Sequence, residues 1–251
     1  MGGPTGNLDG KTVLVTGASR GIGAAAAKAA GEAGAKVLLH ASGPSEAAEK
    51  AKAAAGGEML FEDLSAPGAG ARLMAQAIAA AGRLDAVVNN AGIFIPSPID
   101  GSDEGWAEGW AQTMAVNVQA PADICRAAIH HFREKGGGIV VNVASRAGHR
   151  GDGPDHAAYA ASKGAVLAMT KTFARAFSGE NMLFYAIAPG WVETRMAPQD
   201  IENRKNAVKD IPLGRVASPE EVAAMIVFCA SGACPSATGA TFDINGASYV
   251  R

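Results

Sequence analysis

Short apolar runs alternate with longer stretches in which small and apolar residues recur every three to four positions. The runs at 11–16, 36–41, 58–61, 86–89, 138–144, 183–188 and 241–244 have the length and composition of strands. Between them, 22–33, 45–55, 69–81, 108–133, 157–177 and 219–230 carry helical spacing and much alanine. Val13-Leu14-Val15, Ala86-Val87-Val88 and Ile139-Val140-Val141 are apolar at consecutive positions, as strands covered on both faces must be. Strand and helix in alternation predict an α/β fold, a doubly wound parallel sheet of about seven strands with helices on both faces. Helical crossovers are needed because a tight hairpin cannot join parallel strands.

Two stretches break the rhythm. Residues 146–156 hold Gly148, Gly151, Gly153 and Pro154 and read as an ordered loop at a strand end. Residues 191–212 are polar, with Pro198 and Pro212 as breakers, and read as a mobile loop over a substrate. The 251 residues are 48% hydrophobic, which argues against disorder. With 22 Lys+Arg against 24 Asp+Glu, the net charge of −2 leaves no basic face for a nucleic acid. Cys125, Cys229 and Cys234 lack both a disulfide framework and metal-ligand spacing, so they read as buried reduced thiols, and no metal is expected. Residues 1–9 carry no signal-peptide pattern. Met1-Gly2-Gly3 looks like a myristoylation start, but Gly6 stands where Ser or Thr is wanted. No apolar run approaches the roughly 20 residues that cross a bilayer. The expectation is a cytoplasmic protein with no membrane partner.

The first strand runs into Thr16-Gly17-Ala18-Ser19-Arg20-Gly21-Ile22-Gly23 and then into a helix. Strand, glycine turn and helix form the context in which backbone approaches a pyrophosphate closely. The helix N-terminus then offers free N–H groups and the positive end of its dipole. Gly17, Ser19, Arg20, Gly21, Ile22 and Gly23 are therefore candidate phosphate contacts. Tyr159 and Lys163 lie four residues apart on a helix and share a face. A free tyrosine titrates near ~10, and a nearby ammonium is expected to lower that value. Ser145 ends a strand, where open parallel sheets place ligand groups, and its hydroxyl can hold an oxygen that gains charge. Asn117 falls inside a helix, a poor place for asparagine unless its amide has a partner.

In chain order, Thr16–Gly23, Asp63-Leu64, Asn89-Asn90-Ala91-Gly92, Asn117, Ser145, Tyr159-x3-Lys163, Pro189-Gly190 and Thr194 resemble the short-chain dehydrogenase/reductase family, most closely its 3-oxoacyl-carrier-protein-reductase-like branch. The resemblance spans nearly the whole chain. It implies one NAD(P)-binding Rossmann-like domain over 1–251, with a substrate loop near 191–212, that moves a hydride between nicotinamide and a carbonyl or secondary alcohol. It assigns Tyr159 as general acid in reduction and general base in oxidation, and gives Lys163 a hydrogen bond to the nicotinamide ribose. Asn117 is to hold a water linking Lys163 to solvent. Asn90, Ala91 and Gly92 are to line the adenine ribose, Asp63 and Leu64 the adenine. Pro189, Gly190, Val192 and Thr194 are to hold the nicotinamide. A homotetramer built on the helices 108–133 and 157–177 and the C-terminal segment is also implied. The chain departs from the family in two places. Ser145 precedes Tyr159 by fourteen residues where thirteen is usual, and Asn245-Gly246 stands where Gly-Gly is frequent.

The second strand ends Leu39-His40-Ala41-Ser42, with no carboxylate to grip a ribose diol or repel a 2′-phosphate. Arg20 and Ser42 can meet that phosphate, and His40 points either toward it or into the sheet. NADP(H) is therefore the expected cofactor, with NAD(H) possible. Phe94, Ile95, Trp191 and Met196 are candidate walls for a small-molecule substrate, with His149, Arg150 and His156 as possible polar contacts. His130-His131 read as surface or helix-end cations, and Trp106 with Trp110 as a subunit contact or core pair. Two rival functions use the same fold. A nucleotide-sensing regulator usually lacks the Tyr or the Lys. A halohydrin-dehalogenase-like lyase replaces the Lys with Arg and loses the glycine turn.

Overall fold

The computed structural model describes residues 6–197 and 200–251. In chain order the elements are β1 (Thr12–Val15), α1 (Gly21–Glu32), β2 (Lys36–Ala41), α2 (Glu46–Ala55), β3 (Glu58–Phe61), α3 (Ala69–Ala81) and β4 (Ala86–Asn89). The second half continues with α4 (Asp103–Met114), a π turn (Ala115–Gln119), α5 (Ala120–Lys135), β5 (Gly138–Val143), the short α6 (Ala147–Arg150) and α7 (Ala157–Phe177). It closes with β6 (Met182–Pro189), α8 (Ile201–Lys209), α9 (Pro219–Ser231) and β7 (Thr241–Ile244). The seven strands form one parallel sheet in the order β3-β2-β1-β4-β5-β6-β7. Strand order reverses between β1 and β4, and a crevice opens there beyond the C-terminal strand ends.

The period of two along each strand divides the core between two layers. Val13, Val15, Val37, Leu39, Val88 and Val141 face one way, against α1 and α9. Leu14, Leu38, Val87, Val140 and Phe184 face the other, against α3, α5 and α7. Alanine on α1 lets that helix sit close to the sheet, with Ala26, Ala27 and Ala30 buried. Cys125 and Cys229 are buried in these layers, and burial pushes each thiol up to about 12; Cys234 is exposed, unlike the expectation.

Three features differ from the sequence reading. The helix expected at 108–133 begins at Asp103, because the Ser102 hydroxyl accepts the Gly105 N–H (3.1 Å) and Asp103 and Glu104 suit the positive helix end. It is also interrupted by the π turn. The stretch 191–212 contains α8, and Pro198 lies outside the described residues, as does the Met1-Gly2-Gly3 start. His131 is not a surface cation: it is 5% exposed and accepts the Leu84 N–H at Nε2 (3.0 Å). Burial lowers its pKa first, with Lys135 adding to the effect. Trp106 and Trp110 do pair, with ring centroids 5.6 Å apart. Among the described residues, no helix is long and apolar enough to cross a membrane, and no group of three or more His, Cys, Asp or Glu could hold a metal ion.

Candidate active site

A cleft of about 990 Å³ runs along the C-terminal strand ends. At one end it is shaped by the turn after β1. Gly17 and Gly21 have φ of +63° and +55°, which favours glycine. A Cβ on Gly17 would also lie 2.8 Å from the Ala91 Cα. A Cβ on Gly23 would collide with the Gly17 carbonyl, so this glycine brings α1 against the turn from behind the cleft. The Thr16 hydroxyl accepts the N–H groups of Asn90 (2.9 Å) and Ala91 (3.0 Å), and Asn90 Nδ2 returns hydrogen bonds to the carbonyls of Thr16 (2.9 Å) and Gly17 (3.2 Å). The glycine turn and the loop after β4 are thereby one unit.

His40 secures the turn from the other side. It is 2% exposed, accepts the Gly17 N–H at Nδ1 (3.2 Å), and meets the Glu62 carbonyl at Nε2 (2.9 Å). Accepting at Nδ1 fixes the neutral tautomer with its proton on Nε2. Burial, the largest effect, lowers its pKa, against the opposing influence of Glu62. The ring therefore points into the fold and not to the 2′-phosphate position. Ala41 is 4% exposed, Ser42 and Arg20 are exposed, and both Arg20 and Ser42 line the cleft.

The donor set suits a dinucleotide phosphate. No side chain caps the N-terminus of α1 and no acid occupies its first turn, so its N–H groups and dipole face the cleft beside Ser19 and Arg20. Asp63 stands farther along this wall, its pKa lowered chiefly by the Ser65 N–H it accepts (3.0 Å).

The opposite end is built on β5, the π turn and α7. Ser145 lies just beyond β5; its hydroxyl accepts the Ala147 N–H (3.1 Å) and lies near enough to Tyr159 to favour the phenolate. Burial nevertheless pushes Tyr159 up to about 12. This reverses the expected downward shift. Lys163 Nζ is 5.7 Å from the Tyr159 ring centroid and donates to the Val143 carbonyl (2.9 Å), so burial of the phenol outweighs the ammonium. Lys163 itself, 5% exposed, is pushed down to about 8 by burial.

Asn117 sits in the π turn, a widened turn that recurs at functional sites. Its Oδ1 accepts the Ile93 N–H (2.9 Å), and its Nδ2 donates to the Ile93 carbonyl (3.0 Å) and to Ser162 Oγ (3.1 Å). The amide thus docks the loop after β4 onto α7, with both N–H groups and one oxygen lone pair engaged.

The residues expected to bind nucleotide or substrate line this one cleft, except Gly23 and Asn117, which stand directly behind it, and His149 and His156. The lining includes Leu64, Asn90, Ala91, Gly92, Pro189, Gly190, Val192 and Thr194. Phe94, Ile95, Trp191 and Met196 form the apolar wall. The Phe94 ring stacks on His156 (centroids 3.9 Å) and meets Tyr159 edge-on (4.8 Å). Arg150 lines the cleft, but His149 turns away to stack near Tyr249 (5.9 Å) and His156 only backs Phe94. The sequence takes Thr16 only as the head of the glycine turn, and marks neither Ser162 nor the docking role of His40. It also gives Arg146 no role. The signals were present: Thr16 precedes the glycine turn, and Arg146 follows the strand-end serine.

A family model described as enoyl-(acyl carrier protein) reductase matches residues 17–247. A D-threitol dehydrogenase of Mycolicibacterium smegmatis is 36% identical, over 97% of this chain and 95% of its own. A 3-oxoacyl-[acyl-carrier-protein] reductase of Vibrio cholerae is 33% identical, over 97% and 99%. The crystal structure of a 3-oxoacyl (acyl-carrier-protein) reductase from Agrobacterium tumefaciens C58 with NADP bound superposes with a TM-score of 0.88 at 34% identity, over 96% of this chain and 95% of that one. With its parallel seven-stranded sheet, glycine turn and Tyr–Lys helix, the chain belongs to the short-chain dehydrogenase/reductase family, in its 3-oxoacyl-carrier-protein-reductase-like branch, as an NAD(P)-dependent oxidoreductase of alcohol and keto groups.

Proposed function

We propose that this protein is an NADP(H)-dependent carbonyl reductase or alcohol dehydrogenase for a small substrate, with Asn117, Ser145, Tyr159 and Lys163 as its working set. The observation that carries this reading is the placement of the Ser145 and Tyr159 hydroxyls in the same cleft as an uncapped helix N-terminus, with Lys163 buried behind them. NADP(H), when bound, supplies or accepts the hydride at the reacting carbon. Gly17, Ser19, Arg20, Gly21 and Ile22 hold its phosphates, with Gly23 setting the helix behind them. Ser42 and Arg20 take the 2′-phosphate, and Asp63, Leu64, Asn90, Ala91 and Gly92 take the adenosine. Pro189, Gly190, Val192 and Thr194 hold the nicotinamide.

The remaining steps belong to the protein. Ser145 donates a hydrogen bond to the substrate oxygen. Tyr159, with its proton held firmly at neutral pH, gives that proton to the oxygen in reduction and takes it back in oxidation. The ammonium of Lys163 favours the phenolate left behind. Because both Asn117 amide N–H groups are occupied, a relay water here donates, either to a backbone carbonyl that the π turn releases from the regular ladder or to the second lone pair of Asn117 Oδ1. The neighbour of known structure that holds NADP supports the cofactor reading. The whole chain acts as one nucleotide-binding domain, with 191–212 as substrate loop. It assembles as a homotetramer through α4–α5, α7 and the C-terminal segment and works in the cytoplasm.

The test is a panel of alcohols and carbonyl compounds offered with NADP+ or NADPH and with NAD+ or NADH, read by absorbance of the reduced nicotinamide. Turnover with at least one pair, faster with NADP(H), is expected. No turnover with any nucleotide contradicts the reading.

A further inference from the structure

Arg146 is an unusual arginine for this chain. It is 7% exposed, and its Nη1 donates to Ser248 Oγ, the one side-chain hydrogen bond it makes among the described residues. None of its nitrogens is sealed away without a partner, and the residue lines the cleft. Arg72, Arg83, Arg133, Arg204, Arg215 and Arg251 are all more exposed, and each pairs with a carboxylate. Arg146 forms no ion pair among the described residues. Neither does Arg150, the exposed arginine that lines the same stretch of cleft.

Two nearby carboxylates do not neutralise this pair. Asp152 is exposed and accepts the Gly153 N–H (2.8 Å), and Asp210 is exposed; both act on Arg146 only from beyond ion-pair distance. Burial, and next the positive charge of Arg150, lower the Arg146 pKa. A buried guanidinium beside a like charge is costly unless an anion meets it.

We propose that the substrate carries an anionic oxygen group, a carboxylate or a phosphate, within a few bonds of the reacting carbon, and that Arg146 and Arg150 hold it. The position of the reacting carbon rests on the oxidoreductase reading above. Arg146 directly follows Ser145, and Ser145, Arg146, Arg150 and Tyr159 all line the same cleft, which sets the anion site beside the Ser145 and Tyr159 hydroxyls. Phe94 and Trp191 supply the apolar side. The substrate class is a small hydroxy or oxo acid, or its phosphate-bearing counterpart. This site is separate from Arg20, which stands beyond β1 at the nucleotide end.

The experiment needs no turnover. Malonate, inorganic phosphate and uncharged malonamide are titrated by calorimetry into the parent protein and into the Arg20→Ala, Arg146→Gln, Arg146→Lys and Arg150→Gln variants. Malonate or phosphate should bind the parent and Arg20→Ala, and malonamide should not. Arg146→Gln should weaken anion binding about tenfold or more, Arg146→Lys less, and Arg150→Gln a few-fold. Tighter malonate assigns the carboxylate source, tighter phosphate the phosphate source, and equal binding the shared chemistry. Unchanged binding in Arg146→Gln, loss in Arg20→Ala alone, or malonamide binding as well as malonate overturns the proposal. If Arg146→Gln does not fold, the exposed Arg150→Gln decides, with unchanged binding as the contrary result. Failure here leaves the oxidoreductase reading standing, whereas anion binding without any turnover in the substrate panel removes that reading and keeps the site.

Discussion

At the β1–β3 end the cleft is shaped by backbone: three glycines, an uncapped helix terminus and the Thr16–Asn90 hydrogen bonds that tie two loops together. At the β5–α7 end it is shaped by side chains: buried Lys163 on the Val143 carbonyl, buried Asn117 clamped on Ile93 and Ser162, and half-buried Tyr159 near Ser145. On the proposed reading, the first end spreads recognition over many amide groups and leaves selectivity to a few exposed residues, Arg20 and Ser42 among them, and the second concentrates its chemistry in four side chains. Substitutions at the two ends should therefore differ in kind. Those at the side-chain end should remove reaction or stability, and those at the backbone end should shift preference.

The largest effect is expected for Lys163→Ala. Losing the charge that favours the Tyr159 phenolate should cost about 10²–10⁴-fold in turnover, together with weaker nucleotide binding. The pH dependence carries a sign. Lys163 keeps its charge below about 8, so reduction should fall as pH rises through that value, and the step should vanish in Lys163→Ala. A variant with the parent's affinity and pH–rate profile excludes the dual role.

Asn117→Ala comes next. It removes three hydrogen bonds and leaves the Ile93 peptide without partners, a loss of about 2–4 kcal/mol. A thermal melt should fall by roughly 5–15 °C. An unchanged melt would mean that the π turn is held by other contacts.

Ala41→Asp probes the backbone end. A carboxylate beside the 2′-phosphate position should change the NADPH-to-NADH ratio of kcat/KM by roughly tenfold toward NADH, and Arg20→Ala should move it the same way. A parent that already favours NADH shows the reading of β2 to be mistaken.

The smallest effect concerns His40. Its folded pKa lies below the ordinary 6.5, so the unfolded chain binds the proton first as pH falls. Stability from a neutral His40 is present above 6.5 and is lost as pH drops below it. Buried His131, also lowered, acts in the same direction. His40→Gln should flatten part of the acid limb of a stability–pH curve, and an identical limb counts against the Gly17–His40 bond as its source.

The same contrast explains what could be read from the chain. The glycine turn is legible because sharp backbone conformations select glycine. The strands β2, β3, β4 and β7 fall on the apolar runs that mark them, and Tyr159 with Lys163 needs only helical spacing. The π turn was hidden, because apolar periodicity does not reveal one widened turn in a helix. The helix α8 was read as loop because it is polar nearly all round. The direction of the Tyr159 shift is not legible, because helical spacing gives proximity to Lys163 but not the surroundings of the phenol or the direction of the ammonium. His131 shows the same limit, since burial and its bond to Leu84 depend on packing between distant segments.

Tyr159 is the residue on which the proposed chemistry turns. NADPH affinity by titration and turnover on a responsive substrate, measured side by side for the parent and Tyr159→Phe, test it. The prediction is near-parent NADPH affinity with most turnover lost, since the phenol proton is removed and the nucleotide end is untouched. A Tyr159→Phe protein that keeps its turnover contradicts the assignment of Tyr159 as the proton donor.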